Sequence, residues 1–243
     1  MGSEVGVADV PVKKLRVLAF HGFRTSGAIL QKQLSKWTRA IHELVEFTCI
    51  DGPFPAGGES DVKDIFEGPY FEWMQYNKGW TEFYNYEESL AYIVDYMEKN
   101  GPFDGLLGFS QGSVTAGCLI ACQIKKRSVG GKSPANLPPI RFFISISGAY
   151  LRDKGISEVY SGDPMDVPTL HLYGVKDMLK GPALEFLQFW KDPVAIQHPS
   201  GHTVPRLDEE TSSKVVAFLK PLVSSQPSPA PAENTKATVV AEN

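Results

Sequence analysis

The chain has 243 residues, 42% hydrophobic and 21% charged, a composition typical of a globular protein that excludes a disordered or fibrous one. Its 24 basic and 28 acidic residues give a formal charge of −4, and the basic residues are scattered, so no nucleic-acid partner is expected. Three cysteines fit neither a disulfide framework nor a zinc site, and we find no signal peptide and no membrane span, so we expect a cytoplasmic protein, with the nucleus left open.

Short apolar or β-branched runs alternate with helical patterns along the chain. The runs lie at residues 15–20, 44–50, 105–109, 142–147, 169–173 and 194–197. This alternation predicts an α/β fold, with a mostly parallel sheet of about six strands flanked by helices, in one domain over residues 14–223. We expect residues 1–13 to be flexible and the proline-rich residues 224–243 to be disordered.

Helical spacing of apolar residues marks the segments between these runs. The first stripe consists of Leu30, Leu34, Trp37 and Ile41, with Thr25 or Ser26 available as N-cap. A second stripe runs from residue 86 to 97, and we expect Gly101 to end that helix in a left-handed conformation. The last helix is predicted over residues 205–219, with Pro205 in its first turn.

Residues 108–112 match the pattern G-x-S-x-G, with Ser110 at its centre. The pattern follows a predicted strand and precedes a helix that begins with small residues, which is the context that a nucleophile on a sharp strand-to-helix turn requires. Glycines two residues on either side let the strand and the helix approach closely, and the strained turn projects the hydroxyl outward. The sequence therefore predicts that Ser110 is a nucleophile.

A serine hydroxyl is a weak nucleophile at neutral pH and needs a general base. Enzymes with this turn follow the chain order serine, acid, histidine, with the last two in loops after later strands. His202, between the last predicted strand and the last helix, is the expected base, and His198 is the alternative. Asp177 follows the strand at 169–173 and is expected to orient the imidazole, with Asp163 and Asp166 as weaker alternatives.

Main-chain N–H groups are expected to stabilise the oxyanion that forms when the serine attacks. One comes from the residue after the nucleophile, Gln111, and the other from the loop after the first strand. That loop begins His21-Gly22-Phe23, so we expect the Phe23 N–H to be the second donor. His21 needs no chemical role there, because the donors belong to the main chain.

Four motifs resemble those of the FSH-type serine hydrolases, a eukaryotic α/β-hydrolase family. They are HGFRTSG at residues 21–27, GLLGFSQG at 105–112, YGVKD ending at residue 177, and PSGHTVP at 199–205. The resemblance covers about residues 14–223.

The resemblance implies an α/β-hydrolase fold and hydrolysis of carboxylic esters, and in some members of acyl thioesters, without a metal or an organic cofactor. Matching the motifs residue by residue implies a triad of Ser110, Asp177 and His202. The chain departs from the family at Val175 and Lys176, where members often carry a second acidic residue before the triad acid. The expected partner is therefore a small-molecule ester or thioester, and the oligomeric state stays open.

The segment between residues 51 and 86 is unusually rich in aromatic side chains. Only about twenty residues separate the strand ending at 147 from the next one, which excludes a large cap domain there, so this segment is expected to cover the site. Substrate contacts are predicted for Tyr70, Trp73, Tyr76 and Trp80, although such residues can also simply pack the segment onto the body.

An apolar cover of this kind favours medium or long acyl chains. Two alternatives share the same residues: a hydrolase-fold ligand receptor with slow turnover, and an acyltransferase.

Overall fold

The structure is a computed structural model that describes residues 13–225. Six strands, numbered here along the chain, form one sheet: β1 Leu15–Phe20, β2 Val45–Ile50, β3 Gly105–Phe109, β4 Phe142–Ile146, β5 Thr169–Gly174 and β6 Val194–His198. Their spatial order is β6-β5-β4-β3-β1-β2, and every neighbouring pair is parallel. The predicted α/β class and the six-stranded parallel sheet are confirmed.

Helices cover both faces of the sheet, as parallel strands require. One face carries α1 Gly27–Leu34, α2 Arg39–Leu44 and α6 Glu209–Ser224, and the other carries α3 Tyr86–Asn100, α4 Gln111–Lys125 and α5 Lys180–Leu187. Two short 3₁₀ helices lie at Pro134–Asn136 and Ser157–Tyr160. Alternate residues of β1 enter opposite cores, with Leu18 in one and Val17 in the other.

Three details of the helices differ from the sequence prediction. The first stripe is divided between α1 and α2, because α1 ends at Ser35, whose hydroxyl donates to the Lys32 carbonyl. All four residues of the stripe are nevertheless buried, as predicted. Gly101 is extended (φ −72°, ψ −172°) rather than left-handed, since the following proline disfavours helical backbone.

The third difference concerns the last helix. It begins at Glu209 rather than Pro205, and Asp208 is its N-cap, accepting a hydrogen bond from the Thr211 N–H at 2.8 Å. The Pro205 carbonyl is instead bonded by the indole N–H of Trp37, a tertiary contact that holds this residue outside the helix.

Residues 51–85, called here the covering segment, connect β2 to α3 across the end of the sheet. Two short antiparallel pairs shape it: Phe54–Pro55 with Phe71–Glu72, and Gln75–Tyr76 with Phe83–Tyr84. Between β4 and β5 the chain forms only a loop with one 3₁₀ helix. No large cap domain follows β4.

The predictions of a flexible segment at residues 1–13 and a disordered segment at 224–243 concern residues that mostly lie outside the described part of the chain. Of these residues, only Lys13, Ser224 and Ser225 are described. Within residues 13–225, none of the helices has both the length and the apolar character needed to cross a bilayer. The same residues contain no cluster of His, Cys, Asp and Glu side chains arranged to hold a metal ion.

Candidate active site

Ser110 lies at the junction of β3 and α4, in a strained conformation with φ 53° and ψ −119°. A Cβ at Gly108 would overlap the Ser113 backbone, and one at Gly112 would overlap the Phe20 carbonyl. Glycine at both positions therefore lets α4 start directly under the turn. The predicted strand–serine–helix geometry is present.

His202 is placed between Ser110 and Asp177 by two loops at the carboxyl end of the sheet. Its Nε2 lies 2.8 Å from Ser110 Oγ, and its Nδ1 lies 2.9 Å from Asp177 Oδ1. A carboxylate only accepts hydrogen bonds, so Nδ1 carries the proton and Nε2 is free to accept the serine proton. The Asp177 side chain is fully buried, and its Oδ1 also accepts the Leu179 N–H at 2.8 Å.

The alternative base and acids lie elsewhere. His198 is buried at the end of β6, burial lowers its pKa, and neither ring nitrogen has a hydrogen-bond partner among the described residues. Asp166 pairs with Lys191 at the surface, and Asp163 is exposed. None of the three is hydrogen-bonded to Ser110 or His202 in the part of the chain that is described.

The residues of the two expected oxyanion donors, Phe23 and Gln111, line the same cavity as Ser110. Gln111 directly follows Ser110 in the chain. Within residues 13–225, neither main-chain N–H donates to a protein acceptor. Neither group is thus bonded to another part of the described chain.

The peptide that carries the Phe23 N–H is fixed from its other side. The Gly22 carbonyl accepts hydrogen bonds from His21 Nδ1 at 2.7 Å and from the Thr25 hydroxyl at 2.8 Å. The Gly52 N–H donates to His21 Nε2 at 2.9 Å, so the Nδ1 of a neutral ring holds the proton. Burial lowers the pKa of His21 to about 4, which keeps the ring neutral. His21 therefore orients the Gly22–Phe23 peptide.

A cavity of about 140 Å³ opens beside Ser110. The covering segment contributes Met74, Tyr76, Trp80 and Phe83. Tyr76 and Trp80 stack with ring centroids 4.2 Å apart, and Phe23 packs 5.1 Å from Tyr76. Two of the four predicted substrate-contact residues, Tyr76 and Trp80, thus line the cavity.

The other two predicted contacts are corrected by the structure. Trp73 is completely buried and packs against Phe20, so it does not reach the cavity. Tyr70 does not line it either, because its hydroxyl donates to the Phe66 carbonyl within the covering segment. Both side chains pack the segment onto itself or onto the body, the commoner use of aromatic residues.

Several cavity residues have no counterpart in the sequence prediction. They come from α4, from the loop after β4 and from the start of α5: Val114, Ala149, Tyr150, Arg152, Leu179 and Pro182. Arg152 forms an ion pair with Glu185 and lies over the Tyr150 ring. The loops after β4 and β5 could have been expected at the cavity from their position in the chain, because the carboxyl ends of parallel strands lie along one edge of the sheet.

Comparisons with known proteins identify the family of this chain. A family model described as "Serine hydrolase (FSH1)" matches residues 10–214. Esterase C25G4.2 of Caenorhabditis elegans is 31% identical over 215 residues, which cover 85% of this chain and 93% of that protein. Esterase OVCA2 of Bos taurus is 30% identical over 214 residues, which cover 79% and 89%.

A solved structure shows the fold. Acyl-protein thioesterase 2 of Zea mays is similar with a TM-score of 0.56 and 16% identity, over 86% of this chain and 94% of that one. The predicted α/β-hydrolase fold is confirmed.

Proposed function

This chain belongs to the FSH1 family of serine hydrolases, and from that premise we propose that it cleaves carboxylic esters through an acyl-enzyme formed on Ser110. One observation carries the proposal. The His202 ring lies within hydrogen-bond distance of both Ser110 Oγ and Asp177 Oδ1. A nucleophile joined to a base, and a base joined to an orienting acid, is the arrangement that acyl transfer needs.

In the proposed first half-reaction, Ser110 Oγ attacks the ester carbonyl while His202 Nε2 takes the hydroxyl proton. Asp177 stabilises the imidazolium that forms, and the N–H groups of Phe23 and Gln111 donate to the oxyanion. Collapse of the tetrahedral intermediate breaks the bond to the leaving oxygen, which receives the proton from His202. In the second half-reaction, water attacks the acyl-enzyme by the same route and frees the acid.

The acyl group is proposed to occupy the cavity beside Ser110. Its lining is mostly aromatic and aliphatic, with Arg152 as the charged member, so it suits an apolar chain. Burying each methylene there stabilises the complex by about 0.8 kcal/mol, which favours medium or long chains over acetyl. Thioesters with the same acyl groups are included in the proposal, since the attacked carbonyl is the same.

The test is active-site labelling combined with turnover. A fluorophosphonate should modify wild-type protein on Ser110, as located by mass spectrometry, and Ser110→Ala should lose both the label and all ester hydrolysis while its melting temperature is retained. Ser213→Ala, an exposed serine on α6, is the matched control and should behave as wild type.

The same assay separates the alternatives. Turnover of the order of 10 per second is typical of enzymes, and a ligand receptor would be far slower. An acyltransferase would convert the ester to a new ester when an alcohol is supplied, with free acid as the minor product. Hydrolysis by Ser110→Ala at the wild-type rate would refute the proposal.

A further inference from the structure

Trp73 makes two hydrogen bonds that reach both sides of the proposed oxyanion site. Its indole N–H donates to the His21 carbonyl at 2.9 Å, and its main-chain N–H donates to Gln111 Oε1 at 2.8 Å. Gln111 carries one of the proposed oxyanion donors. His21 begins the short loop that carries the other, on Phe23.

Trp73 itself is held rigidly. Its side chain is fully buried, its ring meets Phe20 edge to face with centroids 5.1 Å apart, and its carbonyl accepts a hydrogen bond from the Ser89 hydroxyl. A tryptophan packed in this way has a single side-chain position. The His21 carbonyl and Gln111 Oε1, which accept its two hydrogen bonds, are therefore held at a fixed separation.

The Gln111 carboxamide is held on both sides by the covering segment. Its oxygen accepts the Trp73 N–H, and its Nε2 donates to the Met74 carbonyl at 2.8 Å. Gln111 is the first residue of α4, where no intrahelical bond restrains the N–H. Its side chain is therefore the attachment that joins this end of the helix to the segment.

We propose that Trp73 is a positioning residue, which sets the separation of the Phe23 and Gln111 N–H groups and so strengthens binding of the oxyanion. The proposal rests on the proposed function, because it needs Ser110 to form a tetrahedral adduct. Donors fixed in advance lower the barrier without contributing to ground-state binding. Trp73 thus acts on kcat for every acyl chain and has no effect on chain-length preference.

The test compares Trp73→Phe with Trp190→Phe. Both replacements keep a buried ring and remove an indole N–H, but the Trp190 N–H is buried without a partner among the described residues. For Trp73→Phe we expect kcat to fall about tenfold for short and long esters alike, as for one lost hydrogen bond, with KM changed less than about twofold. Trp190→Phe should leave kcat unchanged.

A second measurement separates positioning from a merely structural effect. Ser110 Oγ adds to the carbonyl of an alkyl trifluoromethyl ketone and forms a hemiketal, whose oxyanion occupies the same site, while the proton moves to His202. Trp73→Phe should weaken inhibition by this ketone by the same factor as kcat. Inhibition by the primary alcohol of equal chain length, a ground-state ligand without an anionic oxygen, should not change.

Gln111→Met removes the other hydrogen bond of Trp73, from its main-chain N–H to Gln111 Oε1, together with the bond to the Met74 carbonyl, and it carries the test if Trp73→Phe does not fold. Unchanged ketone inhibition in the folded variant, or an equal loss in Trp190→Phe, would overturn the positioning role. Failure of the proposed function is distinguishable, because wild-type protein would then show no fluorophosphonate adduct and no hydrolysis.

Discussion

One carboxylate oxygen of Asp177 accepts both of its hydrogen bonds, including the one that orients the His202 ring. Oδ1 accepts from His202 Nδ1 and from the Leu179 N–H, while Oδ2 is buried without a partner in the described residues. The Leu179 N–H therefore requires an acceptor at the position of Oδ1. An asparagine here would place its carbonyl oxygen at this position, where it accepts from both donors. The opposite orientation of the amide would place its NH₂ group against the Leu179 N–H, and two donors cannot form a hydrogen bond.

Asp177→Asn should accordingly keep the histidine tautomer and remove only the negative charge. We expect kcat for ester hydrolysis to fall at least about 100-fold, because the imidazolium formed during attack loses its counter-charge. Steady-state kinetics check this, with thermal unfolding to show that the fold is retained. Asp166→Asn, at an exposed carboxylate bonded to Lys191, is the control and should have wild-type kcat. A kcat for Asp177→Asn within threefold of wild type would contradict the role.

At the scale of elements, the covering segment forms part of the cavity beside Ser110 that we propose to hold the acyl group. Trp80 is 53% exposed and stacks on Tyr76, so it forms a wall of the cavity that is open to water when no ligand is bound. A chain lying against this wall buries apolar surface on both partners.

Trp80→Ala should flatten the dependence on chain length. In wild type, kcat/KM is expected to rise up to about fourfold per methylene until the cavity is full, corresponding to ~0.8 kcal/mol each. The variant should lose most for long chains and little for acetyl esters, in a series from two to sixteen carbons. Tyr84→Ala, a half-exposed aromatic residue of the same segment outside the cavity lining, should keep the wild-type slope. Equal losses for all chains would show that Trp80 only packs the segment.

The elements and the position of the covering segment could largely be predicted from the sequence, but which of its aromatic residues line the cavity could not. Strand ends agree within one residue because buried parallel strands are short apolar runs with turn residues on both sides. Ser110 stands out for the same reason, since its motif is local. Trp73 and Trp80 lie in the same aromatic-rich stretch, and no sequence pattern distinguishes them. The folding of the covering segment buries Trp73 in the core and leaves Trp80 at the cavity.

The start of α6 shows a different limit. Pro205 is a good first-turn residue, yet its carbonyl is bonded by the Trp37 indole from 168 positions earlier in the chain, and no local rule contains that contact. The place of Arg152 in the cavity lining could not be predicted for the same reason. Its ion-pair partner Glu185 lies on α5, and the cavity is formed by segments that are far apart in the sequence.

For the whole molecule, three buried histidines, His21, His171 and His198, link stability to pH, because burial lowers the pKa of each. Burial lowers the pKa of His21 to about 4 and that of His171, which lies among Phe143, Phe186 and Trp190, to about 3. In the unfolded chain all three titrate near the ordinary value of about 6.5. Between these limits the unfolded state binds protons that the folded state excludes, so acid favours unfolding.

The free energy of unfolding should therefore be insensitive to these three groups above about pH 6.5 and should fall below that pH, by up to about 1.4 kcal/mol per pH unit for each histidine. Urea unfolding at pH 7.5, 5.5 and 4.5 measures the slope. His171→Leu removes one titrating group together with a buried ring nitrogen that has no partner among residues 13–225, so it should reduce the acid slope by up to about 1.4 kcal/mol per pH unit and cost little stability at pH 7.5. An unchanged slope in this variant would mean that His171 is protonated in the folded protein, which its aromatic surroundings could accommodate only by opening to water.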